Sequence, residues 1–345
     1  MKTLLYSALF FVTGYVVAQQ ESHFASTFNN PYVYNPAAGG LANVAQVDLI
    51  TRFQWVGAGG GPKTILLSGH SVLGVGNSAT MDKYDTKGKF MQALPTVSTG
   101  TLKHVVGGKI MSDEIGVFNK VAAYGSYAIH LPVVKDFNLG VGIGLGWSNY
   151  RINANRVVLH DSNDDTYLSA LTNTTQQHFF DANVGLVFYG KGLMFGASAN
   201  QVFGNKARFK GKNVDVSTQS SYVRNYILNL AYGIKFGKSV LEPGVIAHFT
   251  TGAPSKFDFG ARFIYNNATW LGVYGRTSSN IVFQFGTTLV ENLYLSYAYE
   301  LSVGRISNAA TGSHEVQLGI FLGKRTPKAK VSADVDKGSK KSKSQ

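Results

Sequence analysis

From Val47 onward the chain alternates between apolar and small or polar residues with a period of two. Near its end, Val316, Leu318, Ile320 and Leu322 interleave with Glu315, Gln317, Gly319 and Phe321. Ile281, Phe283 and Phe285 interleave with Val282, Gln284 and Gly286. Phe257, Phe259, Ala261, Phe263 and Tyr265 do the same with Asp258, Gly260, Arg262 and Ile264. Leu139, Val141, Ile143, Leu145 and Trp147 are separated by Gly140, Gly142, Gly144 and Gly146. Successive side chains of a strand face opposite sides, so each segment carries one greasy face and one small or polar face. Fourteen such strands are predicted, at 46–55, 62–72, 102–112, 117–131, 137–150, 177–189, 192–203, 222–236, 239–250, 256–267, 269–277, 279–289, 292–302 and 313–322. Most are near or above the ~9–11 residues that cross a bilayer at a tilt.

An even strand number is what single-chain bacterial barrels use, and it returns both ends of the wall to one side. The connections fit that scheme. Gly190-Lys191, Gly237-Lys238, Asn266-Asn267-Ala268, Val290-Glu291 and the stretch from Pro132 to Asp136 are short, as periplasmic turns are. Loops 151–176 and 204–221 are long and rich in Asn, Asp, Ser, Thr and Lys. Both mature termini are therefore expected in the periplasm. The connection 73–101 departs from the scheme, being long on the short-turn side; it reads as an insertion or as a segment folded into the lumen. A soluble β-sandwich is the alternative, but its second face would be charged and wet, whereas here Gly, Ala and Ser dominate it. Tyr150, Phe188, Tyr189, Tyr222, Tyr265 and Tyr299 recur near strand ends as aromatic girdles do. The expectation is an all-β fold: a transmembrane, antiparallel, up-and-down barrel of about fourteen strands over 46–322. A plug-like segment at 19–45 precedes it, and a disordered basic periplasmic tail at 323–345 follows it.

Composition narrows the choice further. Charged residues make up 15% of the 345 and aromatics 12%, against about 25% charged in ordinary soluble domains. That much apolar surface argues against disorder. No mature stretch is a continuous apolar run of about 18 residues, so a helical membrane protein is excluded. Cysteine is absent, which removes disulfides, zinc–thiolate sites and cysteine nucleophiles. About half of the net charge of +13 sits at the ends: Lys2 at one, and at the other residues 324–345, which carry eight Lys and Arg against only Asp334 and Asp336. The body is mildly basic, so no nucleic-acid partner is expected. The tail reads equally as a basic arm for an acidic partner and as a solvated extension.

Residues 1–18 read as a signal peptide: Lys2, an apolar stretch from Leu4 to Val17, then Val16-Val17-Ala18 before a cleavage after Ala18. An N-terminal anchor helix is the alternative. No Cys follows the apolar stretch, which excludes lipoprotein processing. Two motifs look chemical and fail. Gly57 to Thr64 resembles a phosphate loop, but Pro62 precedes the Lys and has no N–H to give. Asp161, Asn163, Asp164 and Asp165 resemble a calcium loop, but Thr166 and Thr172 stand where Gly and Glu are needed. The eight histidines are scattered and no nucleophile–base–acid set is visible. No catalytic residue, cofactor or metal is expected, and the chain reads as a non-enzyme.

In Asn30-Pro31 and Asn35-Pro36 the residue before Pro is pushed out of the α region. Flanked by Tyr32 and Tyr34, the pairs make a stiff, non-helical segment expected inside or beneath the barrel mouth; a floppy leader is the alternative. On the first strand Asp48, Arg52 and Gln54 share a face expected to be luminal, opposite Val47, Leu49, Phe53 and Trp55. Arg262, Gln284 and Glu315 are further luminal candidates.

The stretch His23-Phe24-Ala25-Ser26-Thr27-Phe28-Asn29-Asn30-Pro31-Tyr32-Val33-Tyr34-Asn35-Pro36-Ala37-Ala38-Gly39-Gly40 is followed by Arg52-Phe53-Gln54-Trp55, Gly61-Pro62-Lys63-Thr64 and Ser68-Gly69-His70. Asp113-Glu114-Ile115-Gly116 and Tyr127-Ala128-Ile129-His130-Leu131-Pro132 form a second block. Together they resemble the PorP/SprF family of outer-membrane proteins tied to type IX secretion in Bacteroidetes. The motif positions are Asn30, Pro31, Tyr34, Asn35, Pro36, Gly39, Arg52, Gln54, Trp55, Pro62, Thr64, Asp113 and Gly116, with Ser112 where the family has Asn. The specific match covers about 24–72 and 112–148. The resemblance implies binding without catalysis: an accessory barrel of secretion and gliding that helps secrete or retain particular surface proteins. Its implied partners are a secreted surface protein, periplasmic and outer-membrane secretion components, and outer-membrane lipid. A diffusion porin or nutrient-uptake channel is the competing reading, and conductance separates the two.

Overall fold

The computed structural model describes residues 23–73, 102–153, 176–210, 217–221, 223–277, 280–290, 292–303 and 305–322. The predicted signal peptide, the basic tail, the 73–101 connection beyond Leu73 and the calcium-like loop at 161–172 lie outside them.

The wall is a closed antiparallel β-barrel. Its strands are β1 (Ala45–Val56), β2 (Lys63–Leu73), β3 (Lys103–Ile115), β4 (Phe118–Val134), β5 (Phe137–Ile152), β6 (Gln176–Gly190) and β7 (Leu193–Asn200). After a separate hairpin of β8 (Lys206–Lys210) and β9 (Ser217–Ser221) come β10 (Asn225–Tyr232) and β11 (Ile234–Phe236), two pieces of one wall strand. The remaining strands are β12 (Ser239–Thr250), β13 (Lys256–Tyr265), β14 (Thr269–Arg276), β15 (Asn280–Val290), β16 (Leu293–Ser302) and β17 (Gly312–Leu322). Neighbours pair in succession, β10 bridges β7 and β12, and β17 closes onto β1 from Ala45↔Leu322 to Phe53↔His314. Counting β10 and β11 together, fourteen strands close the wall.

The faces follow the period-two pattern. Leu49, Phe53, Val141, Leu145, Phe259, Leu271, Phe283 and Val316 point outward and are exposed, while Asp48, Arg52, Glu242, Asp258, Arg262, Gln284, Glu300 and Glu315 point inward and are buried. A greasy outside around a polar inside is the inverse of a sandwich and is the arrangement of a membrane barrel. The short turns between β4 and β5, β6 and β7, β11 and β12, β13 and β14, and β15 and β16 gather at one end, here called the turn end. Asn266 and Asn267 both take left-handed φ values, +51° and +52°, which suits Asn and the right-handed twist of a tight hairpin. The facing ends of β5 and β6, of β7 and β10, and of β16 and β17 lie at the opposite, loop end.

Three details differ from the sequence expectation. The strand expected over 222–236 is interrupted at Gly233, because the register sets that stretch opposite Pro243, which has no N–H to share. The Gly233 N–H donates instead to the Gly192 carbonyl at 2.8 Å. The strand expected over 192–203 ends at Asn200, and the loop 204–221 contains the β8–β9 hairpin. Of the expected girdle residues, Tyr150 and Tyr189 are buried and face inward.

Candidate functional site in the barrel lumen

Residues 23–44 are packed among the inward faces of the wall. Of the extended and turned courses that the Asn-Pro pairs allow, the chain takes the turned one, with three single 3-10 turns at Ser26–Phe28, Pro31–Val33 and Pro36–Ala38. The prolines set this pattern. Asn30 and Asn35 are held outside the α region at φ −133° and −123°. Each following Pro then opens a turn, where its missing N–H costs nothing. The Asn35 side chain caps its own turn, its Oδ1 accepting from the Ala37 N–H at 2.9 Å.

The wall makes room where its inward positions lack a side chain. A Cβ on Gly142 would lie 2.6 Å from the Ala37 nitrogen, and one on Gly185 would overlap Asn35 Oδ1. Gly107 and Gly244 receive the Tyr32 hydroxyl and the Phe28 ring in the same way. Phe28 stacks on Tyr274, with ring centroids 4.2 Å apart. Toward the turn end, Ala37, Ala38 and Leu41 pack on Val187, Tyr189, Met194 and Ala231. Val44 packs on Val240, Ile264, Trp270, Tyr294 and Phe321.

Polar contacts fix the register of the segment against the wall. Glu315 accepts from the Ala25 and Ser26 N–H groups, both at 2.7 Å. Asn30 Nδ2 donates to Asp48 Oδ2 at 2.8 Å, and Asn35 Nδ2 to the Leu186 carbonyl at 2.8 Å. Lys109 donates to the Val33 carbonyl and Asn200 to the Tyr34 carbonyl. Behind these contacts runs a chain of buried charges. Arg52 Nη2 and Arg276 Nη1 both meet Glu300 Oε2 at 2.6 Å, Arg52 Nη1 meets Glu315 at 3.3 Å, and Arg276 Nε meets Asp258 at 3.1 Å. Arg276 also donates to the Phe24 carbonyl at 2.8 Å. Arg262 joins Glu242 at 2.7 Å and Asn29 at 2.6 Å.

His23 lies beside His248, Asp258 and Arg276 near the loop end, whereas Gly40 meets Val72 and Val105 at the turn end. The segment therefore spans the lumen lengthwise. The strand ends Ala45 and Leu322 share the turn end, as an even strand number requires, but His23 faces the other mouth. Burial, and after it the Arg276 guanidinium, push the His23 imidazole below its ordinary value. Burial pushes the Tyr32 phenol up to about 12, partly offset by its hydrogen bond with Ser126.

The motif positions fall into two groups. Asn30, Tyr34, Asn35, Pro36 and Gly39 line the buried segment, with Pro31 opening its second turn. Arg52, Thr64 and Asp113 are buried on the inner wall toward the loop end, where Thr64 donates to Asp113 Oδ1 at 2.6 Å. Pro62 belongs to the β1–β2 turn, its carbonyl accepting from the Gln54 N–H at 2.8 Å, and Gly116 takes φ +58° in the β3–β4 turn. Asp48, Arg52, Arg262, Gln284 and Glu315 are all buried inside, while Gln54 is only half-buried, at the rim. Trp55 sits at a bulge between Phe53 and Val56 with φ +54°. Sequence reasoning missed Glu300, Arg276, Glu242, His23 and His248. The first three alternate correctly on their strands and were legible as inward polar positions; the histidines carried no local signal.

No curated protein matches the chain in sequence. Among solved structures, the CymD monoaromatic hydrocarbon channel is 10% identical, covering 88% of this chain and 94% of its own, with a TM-score of 0.46. The Pseudomonas putida toluene transporter TodX is 10% identical over 86% and 95%, with a TM-score of 0.42. A Pseudomonas aeruginosa FadL homologue is 10% identical over 86% and 93%, also at 0.42. Likenesses this distant carry no argument about what passes through, or binds to, this barrel. The family description "Type IX secretion system membrane protein PorP/SprF" matches residues 16–320. With that match spanning the buried N-terminal segment and nearly the whole wall, the chain belongs to the PorP/SprF family of type IX secretion system membrane proteins.

Proposed function

We propose that this protein is a plugged outer-membrane barrel that binds particular secreted proteins and helps secrete or retain them at the cell surface. The observation that carries the reading is the occupied lumen. Residues 23–44 pack along the inward faces of the wall on apolar side chains, joined at one end by a buried charge chain. A diffusion porin needs a water-filled channel, and a segment packed inside the wall takes up room that such a channel would use. Binding then falls to the surfaces outside the lumen, among them the connections at the loop end. The family supports an association with secretion machinery and secreted cargo in general. In this reading the turn end is periplasmic, Leu322 ends there, and His23 looks toward the outer mouth. Outer-membrane lipid contacts the exposed apolar belt, and no step of the reading requires catalysis.

The test is capture of the tagged protein from detergent-solubilised membranes, with the co-purifying proteins identified, in parallel with the surface proteome of a deletion strain. The expected result is a specific secreted surface protein that co-purifies and is lost from the surface of the deletion strain. An unchanged surface proteome together with altered small-solute uptake overturns the reading in favour of a channel.

A further inference from the structure

At the loop end of the lumen, three donors from three separate parts of the chain converge: His23 of the N-terminal segment, His248 of β12 and Asp258 of β13. Their ligand atoms all lie within 4.8 Å of one another, and they are the one such group of three among the described residues. Asp258 Oδ2 is taken by Arg276 Nε at 3.1 Å, while Asp258 Oδ1 is buried without a hydrogen-bond partner. His248 Nε2 is likewise buried and unpartnered. His23 Nε2 comes within 3.0 Å of Asp258 Oδ2, yet it too lacks hydrogen-bond alignment. The imidazoles meet edge to face with centroids 4.1 Å apart. Buried polar atoms in native structures are nearly always satisfied, and an unsatisfied cluster calls for an explanation such as an ion.

We propose that His23, His248 and Asp258 form a divalent transition-metal site, best suited to Zn²⁺, that staples the N-terminal segment to β12 and β13. Two imidazoles and a carboxylate are a borderline donor set of the kind zinc takes. Bonds of about 2.0–2.2 Å to a tetrahedral ion put its donors roughly 3.3–3.5 Å apart, so the cluster closes by a small contraction of side chains. Arg276 fixes the second carboxylate oxygen and so orients the first, the role a supporting residue plays behind a metal ligand. Its own charge is answered by Asp258 and Glu300, and that of Arg52 by Glu300 and Glu315. With three protein donors, a tetrahedral ion would leave one position for a ligand such as water.

The experiment uses the full-length protein, carrying a tag without histidine, purified in detergent, stripped with a chelator and reloaded with Zn²⁺ or Co²⁺. The expected result is one zinc per chain by elemental analysis and a tetrahedral Co²⁺ visible spectrum. His23→Ala and His248→Ala should each weaken zinc affinity at least tenfold. His178→Ala, whose exposed ring stacks outside on Trp147, should leave it unchanged. Heat-modifiable migration checks that each variant keeps its barrel. Absence of zinc from the reloaded wild-type protein overturns the proposal, as does wild-type affinity in the His23→Ala/His248→Ala double variant. The readout does not depend on secretion, so its failure leaves the proposed function standing.

Discussion

Both ends of the lumen pack the same segment on apolar side chains, and only the loop end adds a network of buried charges. At the turn end Ala37, Ala38, Leu41 and Val44 are buried in apolar and aromatic side chains. At the loop end Phe24 and Ala25 also pack on apolar side chains, but there the backbone of Phe24, Ala25 and Ser26 is held in addition by Arg276 and Glu315, which belong to a buried chain of charges. Apolar burial is non-directional and scales with area, so it holds the segment without fixing which residue meets which. The charge chain is directional and fragile. Each member is desolvated, and removing one leaves its partners uncompensated. The contrast predicts that the loop end fails to loss of a charge, and that the turn-end half fails to added bulk.

The largest effect is expected from Arg276→Ala. It removes partners from Asp258, Glu300 and the Phe24 carbonyl at once, and breaking a buried pair in this way costs about 3–5 kcal/mol. The heat-modifiability midpoint should fall. Because the chain has no cysteine, a cysteine introduced at Thr27 can report accessibility, and its labelling should rise while one introduced at the buried Ala38 stays protected. Equal labelling at both positions would erase the distinction between the ends.

Bulk should act on the other half. Gly185→Val drives a side chain into Asn35 Oδ1, which cannot swing away without losing its cap on Ala37, while Asn35 Nδ2 is held by Leu186. Overpacking of this kind costs about 1–3 kcal/mol, and the cysteine at Ala38 should now label more than the one at Thr27. Gly125→Ala, with open space around its Cβ position, is the control and should change nothing.

The smallest effect is a titration. The unfolded Tyr32 phenol ionises near pH 10 and the folded one at about 12. Its contribution to stability is therefore complete below pH 10 and lost as pH rises through 10–12. Alkaline absorbance titration of Tyr32→Phe should lack one of the late-ionising phenols, the one near pH 12, that the unsubstituted protein shows. Loss of a phenol from the ordinary phase near pH 10, with the late phase unchanged, would mean that Tyr32 is not buried against the wall.

Strand positions were legible because a barrel wall separates two opposed environments, and Phe259 or Glu315 can face only one of them. The strand break at Gly233 was legible in principle from Pro243. The turns of residues 23–44 were not, since Asn-Pro pairs constrain the Asn but leave open whether the chain runs straight or turns after each Pro. The inward side of Tyr150 and Tyr189 was missed because an aromatic near a strand end suits an interfacial girdle and a filled lumen alike. His23, His248 and Asp258 are distant in sequence, and only closure of the barrel brings them together.

The central claim is that residues 23–44 seal the barrel, and single-channel conductance in planar bilayers tests it most directly. The account predicts that the full-length protein is closed, and that deleting 23–44 opens a steady conductance in a barrel that still inserts and remains heat-modifiable. A full-length protein that conducts as strongly as the deletion would contradict it and return the molecule to the porins.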